Sequence, residues 1–392
     1  MSAQRLEPMT GCGILGTLKC IAGMPHTLPL IHGPLSCSSG HRLAMLYAEV
    51  EPLLPTTNVT DPDIVLGTLD RLRAALDEAW KCYHPSLLVL ILTCATSMAG
   101  EDYSGLLEEY EAATGAKAIL VDGGALAGDE LTAPYEVYRL LREKWELTDG
   151  TGKDLVLEGL ARTDYGFSFE YPALKELVEH STGRRVLPGL FSGLDLTQED
   201  QRQAYCQAQK YELGLLWRNP RQPIPAPYGL EGTRAFLTAL CGEAGLTEAG
   251  QAGYRQAADR LAPLAQRLRE RALPVAIEGA GWSSYGLARF LTQELGCRVL
   301  LSVDQADPQL PWEEVCQDFY EDVGRFELVE LMEDFGARVV FGSSNVQSDG
   351  KWAYYPFFQP VWRTVARQTP LMGYAGAEFI ARELLANMEG ET

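Results

Sequence analysis

Residues 87–102 read LLVLILTCATSMAGED. The six apolar residues from Leu87 to Leu92 are too few to span a membrane and too uniform for a strand with one wet face. They predict a fully buried strand of a parallel sheet. Thr93-Cys94-Ala95-Thr96-Ser97 follow at its carboxyl end. In open α/β sheets that edge is where ligands sit. Cys94 is therefore a candidate ligand, and Glu101-Asp102 read as the start of the next helix, with a proton-relay role secondary.

A second cysteine-bearing stretch lies upstream. Residues 9–42 read MTGCGILGTLKCIAGMPHTLPLIHGPLSCSSGHR. Gly11, Gly13, Gly16, Gly23, Gly33 and Gly40 crowd it, with Pro25, Pro29 and Pro34 between them. Glycine lets a backbone approach a bulky inorganic group, and proline fixes turns. Cys12 and Cys37 sit in this turn-rich setting. Together with Cys94 they read as three thiolate ligands of an iron–sulfur cluster, with His32 placed to give a hydrogen bond from behind. Three unrelated loop or core cysteines is the competing reading of the same residues. Cys20 is an alternative ligand. A zinc site lacks support, because there is no C-x-x-C knuckle and no His pair at ligand spacing. Three thiols are one short of the four a cubane cluster takes. A second chain is then expected to complete the site, which makes the protein a dimer.

The chain has 392 residues, 53 acidic against 33 basic, for a net charge of -20. Such a polyanion is a poor match for nucleic acid. Length predicts two or three domains. No leader segment and no membrane span are read, so a cytoplasmic location is expected. Nine cysteines then read as thiols or metal ligands and not as a disulfide framework. Cys82, Cys206, Cys241, Cys297 and Cys316 read as small buried hydrophobes.

The rest of the chain alternates strands and helices. Residues 1–80 read as irregular and then helical, with Ser38 or Ser39 as a cap and one helix running from Asp61 through Trp80. Beyond them the rhythm predicts an α/β fold of three units with parallel sheets and helices on both faces. The expected domains are 1–150, which carries the cysteines, 151–265 and 266–392. No P-loop and no G-x-S-x-G appears. Candidate substrate-contacting stretches follow strand ends or fill long loops: Trp217 to Tyr228, Gly279 to Ser284, Ser343 to Gln347 and Tyr354 to Arg363.

Read together, Gly11-Cys12, His32-Gly33-Pro34-x-x-Cys37, Thr60-Asp61-x-Asp63-Ile64-Val65-x-Gly67 and Thr93-Cys94-x-x-x-x-Ala99-Gly100-Glu101-Asp102 resemble the nitrogenase component 1 (molybdenum-iron protein) family. Gly373-Tyr374-x-Gly376-Ala377 resembles its last motif. The resemblance implies three Rossmann-like domains and a homodimer or a heterodimer with a paralogous subunit. It matches Cys12, Cys37 and Cys94 to the family's cluster cysteines, which hold a [4Fe–4S] cluster or an [8Fe–7S] P-cluster at the subunit interface. It implies electrons from an ATP-hydrolysing iron protein and a small-molecule or tetrapyrrole substrate reduced in the inter-domain cleft. The alternative it offers is a non-catalytic scaffold for metallocluster assembly, and a cluster-free binding protein is a third class. No counterpart is recognised for the family's iron–molybdenum cofactor ligands. Residues 213–218 offer no thiol, and the last histidine is His180. Dinitrogen reduction by this chain alone is therefore not expected.

Overall fold

The structure, a computed structural model, describes residues 11–45, 53–213, 224–343, 346, 351–357 and 369–389. Its first part runs α1 (Gly13–Ile21), β1 (Thr27–His32), α2 (Leu35–Ala44), α3 (Asp61–Leu66), α4 (Leu69–Tyr83), β2 (Leu87–Leu92), α5 (Cys94–Ala99), α6 (Tyr103–Thr114), β3 (Lys117–Asp122) and α7 (Ala133–Lys144). The middle part holds β4 (Leu155–Glu158), α8 (Phe167–Thr182), β5 (Val186–Leu187), α9 (Glu199–Gln207), β6 (Gln209–Glu212), α10 (Gly229–Cys241) and α11 (Glu248–Arg269). The last part holds β7 (Pro274–Gly279), α12 (Gly281–Arg289), β8 (Arg298–Val303), β9 (Asp318–Glu321), α13 (Arg325–Phe335), β10 (Val339–Gly342), β11 (Ala353–Pro356) and α14 (Gly373–Glu389). The strands form three sheets in the orders β1-β2-β3, β5-β4-β6 and β11-β10-β7-β8-β9. Every pairing among the named strands is parallel.

The apolar run behaves as its composition dictates. β2 is the centre of the first sheet, and all six of its residues are buried. Leu87, Val89 and Ile91 enter a core shared with α1 and α7. Leu88, Leu90 and Leu92 enter another with Leu72 and Leu76 of α4 and Leu106, Leu107 and Tyr110 of α6. Burying an aliphatic side chain gives about 1.5–3 kcal/mol, against roughly 1–2 kcal/mol per residue for ordering backbone. The run therefore positions the sheet without help from strand propensity.

The opening segment departs from the sequence reading. Residues 13–21 are a helix and residues 27–32 a strand, where irregular chain was expected. The glycines of α1 are packing sites. A Cβ on Gly16 would lie 2.4 Å from the Glu130 carbonyl oxygen. Pro29 is accommodated because β1 is an edge strand. The expected single helix from Asp61 is two, broken where Gly67 takes φ +111°. Ser38 and Ser39 do not cap α2. Pro34 holds the N-cap position, and Ser38 Oγ donates to the Leu54 carbonyl at 2.7 Å.

The middle sheet lies between two cores. Leu155 and Leu157 face the core that contains the third sheet, α10, α11 and α14, while Val156 faces the core of the first sheet. Period-two alternation in one short strand thus ties three sheets together. Among the described residues no helix is long and apolar enough to cross a membrane.

Two central strands carry buried carboxyls at their carboxyl ends, Glu158 on β4 and Glu278 on β7. Burial pushes each up to about 7. Glu278 accepts the Ser343 N–H at 2.5 Å and the Ser343 hydroxyl at 3.0 Å, which joins β7 to the end of β10. An unfolded glutamate ionises at about 4.3, so the native state holds the extra proton between there and about 7. Stability from this group is complete below the lower value and is lost as pH rises through the upper one. Glu278→Gln keeps both hydrogen bonds without the charge. Its denaturant midpoint should show a gain of about 1–3 kcal/mol over the native chain at pH 8 and little at pH 4.5. An equal difference at both pH values would contradict the assignment.

Candidate functional site

The three candidate thiols stand where the chain leaves β1 and β2 and where α1 begins. Cys12 is the N-cap of α1 in extended backbone. It forms an isolated antiparallel bridge with Asp129. The Gly11 N–H donates to Glu130 Oε2 at 2.9 Å, and the Glu130 N–H donates to the Gly11 carbonyl at 2.9 Å. Glu130 Oε1 also pairs with Lys19 of α1, and both side chains are nearly or fully buried. Cys37 lies in the first turn of α2, with its N–H on the Pro34 carbonyl at 3.1 Å.

Cys94 opens α5. Thr93 and Thr96 close a capping box at that point. The Thr96 hydroxyl donates to the His32 carbonyl at 2.7 Å. A Cβ on Gly33 would lie 2.2 Å from Thr93 Cγ2, so only glycine lets the ends of β1 and β2 meet this closely. The turn after β3 completes the group. The Gly123 carbonyl accepts the Ile14 N–H at 3.1 Å, and the Ala125 N–H donates to Cys94 Sγ at 3.3 Å. A Cβ on Gly124 would touch Cys94 Cα at 3.4 Å.

The electrostatics show that these thiols share one neighbourhood. Burial pushes Cys37 up, and the charges of Cys12 and Cys94 push it further. Cys12 moves the other way. Burial opposes its ionisation, but His41 outweighs this, with Nε2 3.2 Å from the sulfur. The N–H dipoles of Ile14 and Leu15 add to the effect, although their own bonds go to the Gly123 and Cys12 carbonyls. His41 Nδ1 lies 2.5 Å from the Cys37 carbonyl, so one ring bridges two of the three loops. Cys12 and Cys37 are half-buried and Cys94 is exposed.

His32 does a different job from the one its position suggests. Burial drives its ring down to about 4, so it is neutral. The Thr68 hydroxyl donates to Glu101 and so accepts from Nε2 at 3.0 Å. Thr57, which accepts the Gly33 N–H, is left to donate to Nδ1 at 2.9 Å. Both ring nitrogens are spent bracing the loop, and neither serves a cysteine. Glu101 likewise accepts the Thr68 N–H at 3.0 Å, while Asp102 caps α6 through the Gly105 N–H. His41 and Glu130 are the residues the sequence reading missed. The i, i+4 spacing of Cys37 and His41 on a helix was the available signal for the first.

Among the described residues no three His, Cys, Asp or Glu side chains gather closely enough for a single metal. Three thiols within electrostatic reach, with a backbone N–H already aimed at one sulfur, fit ligation of an iron–sulfur cluster. Cys20 does not join them, since it is fully buried in the core of α1 and burial pushes it far up. Cys297 and Cys316 are buried as expected, but Cys82 is exposed and Cys206 and Cys241 are half-buried.

The elements around the thiols also expose apolar side chains. Leu35 and Leu43 of α2, Val65 and Leu66 of α3, Met98 of α5 and Leu126 are more than half exposed. Parts of the candidate substrate stretches meet elsewhere, at the carboxyl edge of the third sheet. Tyr228 Oη and Ser283 Oγ are 3.0 Å apart, and the Tyr228 and Phe357 rings lie 6.0 Å apart. A Cβ on Gly279 would touch the Phe357 ring at 3.3 Å. Residues 217–223, 344–345, 347 and 358–363 of those stretches lie outside the described residues.

The model of a family described as nitrogenase component 1 type oxidoreductase matches residues 12–166 and 205–389. The chain is 30% identical over 118 residues to the nitrogenase molybdenum-iron protein alpha chain of Methanosarcina barkeri, covering 28% of this chain and 22% of that one. It is 29% identical over 116 residues to the corresponding beta chain of Frankia alni, covering 29% and 22%. It is also 29% identical over 128 residues to the nitrogenase iron-molybdenum cofactor biosynthesis protein NifE of Klebsiella pneumoniae, covering 31% and 27%. The matches thus span about a quarter of each relative. A solved structure, nitrogenase Cp1 at pH 6.5, superposes with a TM-score of 0.76 at 16% identity, covering 100% of this chain and 96% of that one. That likeness concerns the fold.

The Glu130–Lys19 pair is the anchor under Cys12, which makes it testable. Glu130→Ala takes the carboxylate at Oε1 away from the nearly buried Lys19 ammonium and should cost about 3–5 kcal/mol in urea unfolding. Replacing both residues with Met should recover most of that loss. A loss below about 1 kcal/mol for Glu130→Ala would mean the pair is no stronger than a surface one.

Proposed function

We propose, from the premise that this chain belongs to the nitrogenase component 1 type oxidoreductase family, that it is a redox subunit whose Cys12, Cys37 and Cys94 hold an iron–sulfur cluster at a subunit interface. The observation that carries this reading is the meeting of three distant loops, with the His41 ring between Cys12 Sγ and the Cys37 carbonyl and the turn of Cys94 bonded to the end of β1 through Thr96. When bound, a [4Fe–4S] or P-cluster-type group would supply one-electron storage. The chain's own part is to hold the thiols, to exclude water beneath them with the core of α1 and β2, and to offer the Ala125 N–H to Cys94 Sγ.

The incompleteness of the ligand set supports a second subunit, either identical or paralogous. The apolar side chains of α2, α3 and α5 support protein docking over the thiols, first by that subunit and then by an ATP-hydrolysing iron protein. The relatives named as nitrogenase alpha and beta chains favour the same partners. In this reading 1–150 is the cluster-binding domain, 151–265 the middle domain and 266–392 the carboxy-terminal domain. Their cleft would take a small molecule or a tetrapyrrole, with Tyr228, Ser283 and Phe357 at its wall. The cytoplasm is the compartment that suits an oxygen-sensitive group of this kind.

A second reading is a scaffold on which a metallocluster is assembled and passed on. It is favoured by the similarity to NifE, whose printed role is cofactor biosynthesis. Continuous substrate reduction with iron protein and ATP marks the enzyme, and one-time release of metal to an acceptor marks the scaffold.

The ligand assignment is tested by iron and sulfide analysis of protein prepared without oxygen. Cys37→Ala and Cys94→Ala should each lose most of the iron, and Cys241→Ala should retain it. Equal iron in the three variants would refute the assignment.

A further inference from the structure

A cavity of about 400 Å³ lies between α7 and β6, a volume in the range of small-molecule pockets. It shares no lining residue with the loops of the three thiols or with Tyr228, Ser283 and Phe357. Three tyrosines line it, Tyr135 and Tyr138 of α7 and Tyr211 of β6. The rings of Tyr135 and Tyr138 are 6.2 Å apart and tilted by 37°. The Tyr211 hydroxyl is spent on Gln209 Oε1 at 3.2 Å and the Leu240 carbonyl at 3.3 Å. Walls of this kind favour a flat aromatic guest, which gains edge and face contacts beyond simple area burial.

The charged part of the wall is Arg139, Arg142 and Lys210 against Asp149 and Glu212. That balance suits one negative charge and not two. Two of the cations have no donor left to give. Lys210 Nζ is spent on the Thr148, Tyr205 and Ala208 carbonyls at 2.9, 2.8 and 3.2 Å. Arg139 forks onto Glu136 through Nε and Nη2 and reaches Glu143 through Nη1. Arg142 differs. Its Nη1 donates to Tyr138 Oη and to Asp149 Oδ1, both at 2.8 Å, and the guanidinium lies 5.3 Å from the centre of the Tyr138 ring. Its Nε and Nη2 have no protein partner among the described residues. The Arg142 side chain is only 19% exposed, so this is a fixed and mostly buried guanidinium with one edge unused. The Nε–H and Nη2–H of that edge stand side by side, and such a fork takes both oxygens of a carboxylate.

We propose that the cavity between α7 and β6 binds a small aromatic carboxylate, with its ring against the tyrosines and its two oxygens on the Nε–Nη2 edge of Arg142. A phosphate would also fit the fork, but a dianion would face Asp149 and Glu212, and it would leave the tyrosine wall unused. Tyr138 and Asp149 hold the guanidinium in place before the guest arrives, so little side-chain freedom is lost on binding. The site draws on none of the cysteines and does not rest on the redox reading above.

Isothermal titration calorimetry of the full chain with benzoate tests the site. Benzoate should bind saturably with a Kd below about 1 mM. Benzamide has the ring without the charge and acetate the charge without the ring, and each should bind at least about tenfold more weakly. Arg142→Lys keeps the charge but removes the fork. It should weaken benzoate at least about tenfold while the circular dichroism spectrum stays native. Tyr135→Ala tests the ring wall and serves as the probe if Arg142→Lys does not fold; it should weaken benzoate and leave acetate unchanged. Equal binding of benzoate and benzamide, native affinity in a folded Arg142→Lys, or no saturable heat overturns the proposal. The iron measurement judges the redox reading separately.

Discussion

The candidate site depends on one close contact, Gly33 at the end of β1 against Thr93 at the end of β2. No side chain larger than hydrogen fits at residue 33. The Thr96 hydroxyl seals the contact by bonding the His32 carbonyl. Because of it, the turn that carries Cys37 and the turn that carries Cys94 leave the sheet side by side. α1 then brings Cys12 up to them, held through Glu130 on one side and Gly123 on the other. The apolar strand β2 supplies the stability, and the glycine and the threonines supply the register. His32 belongs to this framework, since its neutral ring ties Thr57 to Thr68 behind the turn.

The same economy appears in the middle of the chain. β4 is four residues long, yet its alternate faces enter two different cores. A strand that joins two cores has no solvent face, so a carboxyl at its end is buried too. Glu158 stays neutral well above the usual range for this reason, and its tyrosine neighbours follow from the packing of α7 and α9 against β6. Polar networks in such places are costly unless every member has a partner. Glu158 and Tyr205 are partners of one another at 2.6 Å.

The legible parts of the fold were those written as uniform patterns. Leu87 to Leu92 announces a central parallel strand, and Arg298 to Val303 and the amphipathic run of α7 are nearly as direct. Cys94 at the end of its strand could be placed from sequence for the same reason. α1 and β1 were illegible because Gly13, Gly16 and Pro29 argue locally for irregular chain. Only contacts with residues 123 and 130 show that the glycines are there for packing. The bond between Gly11 and Glu130 joins residues 119 apart, and no local rule exposes it. His41 was hidden in a helix that seemed ordinary. The bond from the Tyr205 hydroxyl to Glu158 joins α9 to β4 across 47 residues, so it exists only once the sheet is assembled.

Everything said of function stands on three thiols acting together on one inorganic group shared with a second subunit. The most direct measurement is the electron paramagnetic resonance spectrum of the dithionite-reduced protein, prepared without oxygen, with its mass taken on the same sample. The account predicts an iron–sulfur signal from a species of at least two chains. A silent spectrum from a metal-free monomer would contradict it.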